Sequence, residues 1–224
     1  METDSQSEWV LPKLKQETAA ESALASIRSA IFDGKFRPGD ALRELALAQQ
    51  IGVSQATIRE ALFRLERTGL VAKVPNVGTY VTRLSDEKLR ERISVRMTLE
   101  TMAFVKAAPR MDESLFEKLE SVVCRCAGRD DGFLLSEAEL EFHSAIWELS
   151  GNQTLCRMLR ELTAPLFAFA ELLIKSGRHP RPEFEKSHRE LINVIRDPSP
   201  ERVSKAIRDH IRHHQLGFFD LDAS

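Results

Sequence analysis

The chain has 224 residues, of which 42% are hydrophobic, so it is long enough for two domains with separate cores. Its net charge of −2 excludes a protein that coats nucleic acid without sequence preference. The sequence contains no apolar run that could span a bilayer, and its first residues are acidic and polar, which predicts a cytoplasmic protein without membrane contact. The three cysteines do not follow a zinc-motif spacing, so we expect free thiols.

The positive charge is concentrated in the first part of the chain. Residues 9–83 contain 11 Lys and Arg against 7 Asp and Glu, whereas the remainder is acidic. Because phosphate-binding proteins gather their cations at the binding surface, this distribution predicts a nucleic-acid-binding domain at residues 17–84. We expect residues 1–16 to form a loosely ordered arm in front of it.

Three helices are predicted in this first domain. The first runs from about Thr18 to Asp33, the second ends at Gly52, and the third begins after the N-cap Ser54. A pair of short helices joined by a glycine turn indicates a helix-turn-helix. The apolar faces, in chain order, comprise Ala20, Leu24, Ile27 and Ile31; Leu42, Leu45, Ala48 and Ile51; and Ile58, Ala61, Leu62 and Leu65.

A two-stranded wing is predicted after the third helix, with strands at Leu70 to Val74 and Thr79 to Leu84. The turn between them ends at Gly78, which either approaches the DNA or simply supplies a positive φ. A basic helix-turn-helix with a wing is typical of a domain that reads DNA grooves. The expected DNA contacts are Arg43, Ser54, Gln55, Thr57, Arg59, Arg64 and Gly78.

Residues 85–224 are predicted to form an all-α antiparallel bundle of six helices, which makes the fold class mainly α. Ser85 can cap the first of these helices, and prolines and glycines separate them. The predicted helices are Asp86 to Ala107, Asp112 to Ala127, Phe133 to Ser150, Asn152 to Lys175, Pro182 to Ile195 and Pro200 to Phe218.

Three histidines and one carboxylate lie on the apolar faces of three of these helices. Glu139 and His143 are one helical turn apart, while His188 and His210 follow apolar residues at inward-facing spacing. A single histidine in such a place is usually a hydrogen-bonded core residue. Three histidines that converge with a glutamate form a donor set for Zn²⁺, Ni²⁺, Mn²⁺ or Fe²⁺. The residues alone leave both interpretations open.

The stretch from Ser22 to Leu84 closely resembles the winged-helix domain of the GntR family of bacterial regulators. The matching residues are Ala30-Ile31, Gly34, Pro38-Gly39, Leu47-Ala48, Gly52-Val53-Ser54, Ile58 to Leu62, Leu65-Glu66, Gly69-Leu70 and Gly78. The family usually has Arg at position 55, where it reads guanine, and this chain has Gln55. Because Gln pairs best with adenine, we expect a different base in the half-site, unless Gln55 faces solvent without a base contact.

From Leu84 onward the chain resembles the FCD effector domain, in its six-helix, VanR-like form. The matching residues are Arg96, Leu99-Glu100, Phe142-His143, Ser150-Gly151-Asn152, His188, Ile192 and His210. In that family an Asp four residues before the first His, together with three histidines, binds a divalent metal. Here Glu139 takes the place of the Asp, which moves the carboxylate outward by about one bond length. His213 and His214 are neighbouring alternatives to His210.

The resemblance implies a homodimeric transcriptional regulator, expected to be a repressor, that binds double-stranded operator DNA. Its operator affinity would be modulated by a small organic acid at the metal site, with Arg96 and Asn152 as effector contacts. Arg96 could instead form a surface pair with Glu100, and Asn152 could be only a helix N-cap. Two other functions remain open: a regulator that senses the metal ion itself, and a metal-dependent hydrolase, for which we find no nucleophile motif.

Overall fold

The computed structural model describes residues 18–175, 177, 183–196 and 199–215. The predicted mainly helical fold, with a winged head followed by a helical domain, is confirmed, and the helices start and end close to the predicted bounds. The predicted arm and the predicted helix ends at Pro182 and Phe218 lie outside the described residues. The helices are α1 Ala19–Phe32, α2 Glu44–Ile51, α3 Gln55–Arg67, α4 Asp86–Ala107, α5 Glu113–Cys126, α6 Gly132–Leu149, α7 Gln153–Lys175, α8 Phe184–Ile195 and α9 Pro200–Gln215.

The first three helices form the core of the head. Thr18 and Glu21 form a capping box at the start of α1, so the first free amides of that helix are satisfied locally. Ser54 caps α3 by accepting a hydrogen bond from the Thr57 amide, as predicted. The apolar faces of α1 and α3 pack against each other and exclude water from the centre of the head.

The predicted inward face of α2 is wrong at Leu45, which is 56% exposed, whereas Leu47 is buried. The cause lies in the residues before α2. Leu42 is buried but precedes the helix, and its amide donates to the Thr79 carbonyl of the wing. Since Leu42 belongs to an extended segment, helical spacing counted from it assigns the wrong face to the residues that follow.

The wing consists of β1 Val71–Val74 and β2 Gly78–Val81, which pair antiparallel with Val71 opposite Val81. Both strands are shorter than predicted. The chain before α2 joins this sheet through an isolated bridge between Ala41 and Tyr80, so the wing is fixed to the helical core from two sides.

Helices α4 to α9 form the bundle, in which α4 packs against α6, α7 and α9. Its core is built from aliphatic and aromatic side chains of all six helices. Each such fully buried side chain contributes roughly 1.5 to 3 kcal/mol to stability. Among the described residues, none of the helices is both long and apolar enough to cross a membrane.

The head packs directly on the bundle through α6 and α7. Phe133, Ala168 and Leu172 of the bundle belong to the hydrophobic core of the head. Gly69, which follows α3, lies so close to α7 that a Cβ there would be 2.3 Å from the backbone carbon of Ala164. The positive φ of +74° at Gly69 adds a second reason for glycine. The two domains are therefore in close contact along α7.

Candidate metal centre and nucleic-acid interface

Four potential metal ligands meet inside the bundle. Glu139 and His143 come from α6, His188 from α8 and His210 from α9, and one ligand atom of each lies within 4.8 Å of those of the other three. The Glu139 carboxylate oxygen Oε2 is 3.6 Å from His143 Nε2 and 3.5 Å from His188 Nε2. The structure thus brings together the four residues that the sequence selected.

The cluster is almost entirely shielded from solvent. His143 and His188 are fully buried, His210 is 7% exposed, and the Glu139 side chain is 14% exposed. The imidazole rings of His188 and His210 are 4.8 Å apart, and those of His143 and His210 are 5.3 Å apart. Because burying polar groups is costly without strong partners, such a concentration of them indicates a function.

The spacing of the ligand atoms fits a divalent cation. Metal–nitrogen and metal–oxygen bonds of about 2.0 to 2.2 Å place neighbouring ligand atoms roughly 3 to 3.5 Å apart. The two distances from Glu139 Oε2 are close to that range. The remaining ligand atoms need to move by about an ångström or less to surround an ion. Three nitrogens and one oxygen are a donor set that Zn²⁺, Ni²⁺, Mn²⁺ and Fe²⁺ all accept.

His143 is held in place by a buried carboxylate on α4. Its Nδ1 donates a hydrogen bond to Glu100 Oε2 at 2.8 Å, which turns Nε2 towards Glu139. The other Glu100 oxygen accepts a hydrogen bond from Arg96 Nε at 2.5 Å. Arg96 and Glu100 are 1% and 0% exposed. Arg96 and Glu100, for which a surface pair was one expectation, therefore form their ion pair inside the bundle, beside the cluster.

His188 is oriented by the backbone of its own helix. Its Nδ1 donates to the Phe184 carbonyl at 2.8 Å, and the Phe184 ring stacks on the imidazole with ring centroids 4.0 Å apart. Phe142 packs edge-on against the same imidazole, at 4.6 Å. The ring is therefore fixed on both sides, with Nε2 directed at Glu139.

The buried charges perturb one another. Burial by itself would raise the pKa of Glu100, but Arg96, followed by His143, lowers it to about 2, so the carboxylate remains ionised. Burial opposes a charged imidazole at His143, yet the Glu100 carboxylate outweighs this effect and raises the pKa of His143. Glu100 therefore makes His143 a more basic nitrogen donor than burial alone would allow.

The two predicted effector contacts differ in where they lie. The Arg96 guanidinium is next to the cluster, with Nη2 3.5 Å from His143 Nε2, and it lies over the Phe167 ring at 4.6 Å. The Asn152 side-chain oxygen instead accepts a hydrogen bond from the Leu155 amide at the start of α7. Asn152 lines a groove between the head and the bundle, and none of the four cluster residues lines that groove.

Glu100 contacts the cluster through His143, although the sequence predicted for it only a surface pair with Arg96. The inward face of α4 contains Leu89, Ile93, Ala103 and Ala107, and Arg96 and Glu100 fill the gap in this stripe. Two charged residues one turn apart in the middle of an apolar stripe indicate a buried ion pair. The sequence contains this signal, although it does not show that the pair lies beside the cluster.

A solvent-open cavity of about 680 Å³ lies between α5 and α8 and extends to the side chain of Phe184, against which His188 stacks. Leu135 of α6, one turn before Glu139, also lines it. Its lining includes three basic residues and three acidic residues: Arg129, Lys186, Arg189, Glu183, Glu185 and Glu190.

The head presents its predicted DNA-binding residues on the surface. Gln55 is exposed at the first position of α3, and Arg43 is exposed at the N-cap of α2. Arg59 is 61% exposed, and its Nε donates to Glu44 of α2 at 2.8 Å, which leaves the outer nitrogens of its guanidinium free to reach DNA. Gly78 is exposed at the start of β2, with a φ of +147°.

Other predicted contacts are placed differently. The hydroxyls of Ser54 and Thr57 lie 2.8 Å apart at the N-terminus of α3, so both take part in capping that helix. Arg64 lies near Glu21 of α1, at 3.9 Å, and lines the groove between head and bundle. Because it is five residues after Arg59, it is rotated by about 140° around the helix. Arg64 therefore lies away from the surface that Gln55 and Arg59 share.

A basic, surface-exposed helix-turn-helix with a wing, packed on a helical domain that encloses a polar cluster, defines a DNA-binding regulator with a sensory domain. Comparison with known proteins gives the family. Residues 19–81 match the family described as bacterial regulatory proteins, gntR family, and residues 91–213 match the FCD domain. The FCD match alone covers more than half of the chain, so the chain belongs to the GntR family of regulators that carry an FCD domain.

The relatives extend over most of the chain. It is 26% identical over 191 residues to the uncharacterized HTH-type transcriptional regulator YdhC of Bacillus subtilis, covering 84% of this chain and 85% of that protein. It is 27% identical over 205 residues to the probable D-xylose utilization operon transcriptional repressor of Paenarthrobacter nicotinovorans, covering 89% and 88%. The structure of E. coli McbR/YncC has the same fold, with a TM-score of 0.63 at 20% identity, covering 88% and 94%.

The protein is therefore a transcriptional regulator and not an enzyme. GntR-family regulators bind operator DNA and typically dimerise.

Proposed function

We propose that this protein is a homodimeric repressor whose affinity for operator DNA is set by a small organic acid bound at a divalent metal ion. Glu139, His143, His188 and His210 hold the ion, and Arg96 binds the acid beside it. The observation that carries the proposal is the convergence of these four ligands inside the bundle, with all ligand atoms within 4.8 Å of one another.

The position of Arg96 favours an acid effector over the metal ion as the sole signal. Its guanidinium Nη2 lies 3.5 Å from His143 Nε2, the atom that would bind the ion. Glu100 neutralises Arg96 on its Nε side, and Nη2 on the other side of the guanidinium can donate to an anion that is bound to the ion. A carboxylate satisfies both, because it coordinates hard cations and accepts hydrogen bonds from guanidinium groups.

The number of protein ligands leaves room for such an effector. Four ligands complete the tetrahedral shell of a structural zinc ion, but an ion that prefers six ligands retains two further positions. Both could be filled by one acid that offers a carboxylate and a second oxygen. The shielded interior favours a small molecule over a peptide or a polymer.

Helix α7 provides the connection to the head. Phe167 packs against the His143 ring, with centroids 5.8 Å apart, and lies under the Arg96 guanidinium. The next residue, Ala168, belongs to the hydrophobic core of the head, as does Leu172 one turn later. An acid that draws Arg96 towards the metal changes the packing of Phe167 and thereby the position of α7 under the head.

In a dimer this movement changes the distance between two winged heads. Operator half-sites are separated by a fixed number of helical turns, so the affinity for DNA depends on the spacing of the heads. The effector then acts by favouring one arrangement of the dimer, and the shift is limited by its difference in affinity for the two arrangements. We propose repression because the relative from Paenarthrobacter nicotinovorans is named as a repressor.

Metal and acid titrations test the proposal. Purified protein is stripped with a chelator, and Zn²⁺, Mn²⁺ and Ni²⁺ are titrated in turn by calorimetry. A duplex selected by the protein from a random library then serves as the operator. We expect about one ion per chain, and a change in operator affinity when members of a panel of C2 to C6 carboxylic acids are added at saturating metal. A response to metal alone, with none to any acid, would instead establish a metal-sensing regulator.

A further inference from the structure

The buried triad of Arg96, Glu100 and His143 performs a task that the four ligands do not explain. Glu100 Oε2 is 2.8 Å from His143 Nδ1, and both side chains are fully buried. Glu100 is paired through Oε1 with the Arg96 guanidinium, so its carboxylate accepts at Oε2 as well and the proton between these atoms belongs to Nδ1. This leaves Nε2, on the far side of the ring, as the atom that faces Glu139.

Both oxygens of Glu100 are turned towards other side chains. Oε2 is occupied by His143, and Oε1 accepts a hydrogen bond from Arg96 Nε at 2.5 Å. Glu100 and Glu139 lie on opposite sides of the His143 ring, because Glu100 contacts Nδ1 whereas Nε2 faces Glu139. Glu100 can therefore orient the ligand His143 without binding the metal itself.

We infer that Glu100 is the positioning residue of the metal site, which holds His143 in the orientation and tautomer that present Nε2 to the ion, and holds Arg96 beside the same atom. This inference rests on the proposed metal site and deepens it, because it assigns one residue to the control of both metal affinity and acid recognition.

His188 shows what the carboxylate adds. His188 Nδ1 donates to the Phe184 carbonyl, also at 2.8 Å. Because this carbonyl is neutral, the hydrogen bond orients the ring without a charged partner. At His143 the partner carries a full negative charge, which strengthens the imidazole as an electron-pair donor. Of the two rings, His143 is therefore the stronger metal donor, and the difference depends on the charge of Glu100.

The same charge controls Arg96. The guanidinium is 1% exposed and is drawn to Glu100 by a hydrogen bond to its Nε, which directs Nη2 towards the cluster. If Glu100 lost its charge, Arg96 would remain as a buried cation close to His143 without its neutralising partner. The site would then repel a metal ion while His143 became a weaker donor, so both effects lower the metal affinity.

The variant Glu100→Gln tests this inference because it keeps the size of the side chain and one oxygen acceptor while removing the charge. Co²⁺, whose visible absorption reports ligand type and geometry, is titrated into the chelator-stripped full-length chain. We expect Glu100→Gln to bind Co²⁺ about 10 to 100-fold more weakly than the unmodified protein, with an altered absorption spectrum.

A control variant separates positioning from general damage to the bundle. Thr163 is fully buried in α7, where its hydroxyl donates to the Leu159 carbonyl at 2.7 Å. Thr163→Val removes a buried hydrogen bond without removing a charge beside the cluster. We expect it to lower the thermal midpoint of the metal-free protein while leaving the Co²⁺ affinity and spectrum unchanged.

The outcomes are distinct. If the unmodified protein binds no Co²⁺, the proposed metal site itself is wrong, and the inference falls with it. If the unmodified protein binds Co²⁺ and Glu100→Gln binds it with the same affinity and spectrum, the metal site stands and Glu100 is a structural ion-pair partner only.

Should Glu100→Gln fail to fold, nitrogen-15 NMR of the histidines in the unmodified, Zn²⁺-loaded protein decides the question. We expect the His143 resonances to show a proton on Nδ1 and metal bound to Nε2. Metal bound to Nδ1, or a His143 ring without metal, would overturn the inference.

Discussion

The head and the bundle place their functional side chains in opposite environments. In the head, Gln55 and Arg59 are exposed, and the apolar stripe of α3 lies beneath them. In the bundle, His143 and His188 are fully buried and interrupt the apolar faces of their helices. A surface that binds DNA needs charged side chains from which water is easily displaced. A metal site needs ligands that are held rigidly and are shielded from water that would compete for the ion.

This difference predicts how each region responds to substitution. Exposed residues of the head contribute little to folding, since a surface ion pair such as Arg59 with Glu44 stabilises by only about 0 to 1 kcal/mol. Buried residues of the cluster are coupled to the packing of α4, α6, α8 and α9. Changes at exposed residues of the head should therefore affect DNA binding with little loss of stability, whereas changes in the cluster should affect stability and metal binding together.

The largest expected effect lies where the two regions meet. Gly69→Ala should destabilise the protein by about 2 to 5 kcal/mol, because it combines left-handed backbone strain with a clash against α7. Gly34→Ala is the matched control: Gly34 has almost the same φ, +75°, and nothing lies within 4 Å of its Cβ position. Chemical denaturation should give only about 1 to 2 kcal/mol for the control. Equal losses would show that the head does not depend on close contact with α7.

The next effect tests the buried cluster. His188→Ala should remove the stabilisation that a bound ion provides, about 2.7 kcal/mol at a free metal concentration one hundred times the dissociation constant. Thermal unfolding with and without metal measures it. His213→Ala serves as the control, since His213 is an exposed histidine on α9, one turn beyond His210. Retention of the metal-dependent increase in Tm by His188→Ala, or its loss in the control, would show that the ligand set is wrong.

A smaller effect is expected in the head. Arg59→Ala should weaken operator binding by about 1 to 3 kcal/mol and relax the preference at one base, because its guanidinium is exposed at the centre of α3. The thermal midpoint should change little. Arg125→Ala, on the surface of α5, is the control and should bind the operator normally. Unchanged binding by Arg59→Ala, measured by fluorescence anisotropy, would mean that α3 presents another face to the DNA.

The smallest effect concerns a single base of the half-site. Gln55→Arg should shift the preference at one position from adenine to guanine, with a discrimination of about 1 to 3 kcal/mol, because Gln and Arg match different hydrogen-bonding edges. A half-site library scanned at each base measures the change for both proteins. If the two proteins select the same base at every position, Gln55 makes no base contact.

Periodicity was sufficient to predict the helices and the wing, because amphipathic helices with clear caps are determined locally. It failed at Leu45, because Leu42 is hydrogen-bonded to the wing and the helix begins two residues later than the pattern suggested, at Glu44. The four cluster residues were found because polar residues on apolar faces stand out in a sequence. Their convergence from α6, α8 and α9 was expected from their inward-facing spacing, and the resemblance supported it. The distances between them could not be predicted.

Contacts between residues that are far apart in the sequence could not be predicted from the sequence. Glu100 and His143 are on different helices, and only the packing of α4 against α6 brings them together. The contact of Gly69 with Ala164 likewise requires the position of the head on the bundle. The local sequence can indicate that a position needs glycine for its backbone conformation. It cannot show which residues of another helix pack against that glycine.

Under the proposed function, the buried cluster controls how firmly the exposed head binds DNA. The most direct test is the operator dissociation constant at saturating Mn²⁺, measured with and without the panel of carboxylic acids, for the unmodified protein and for His188→Ala. We predict that at least one acid changes the affinity of the unmodified protein by about 5 to 150-fold, a typical coupling between two sites, and leaves the variant unaffected. The same change in both proteins, or none in the unmodified protein, would contradict the account.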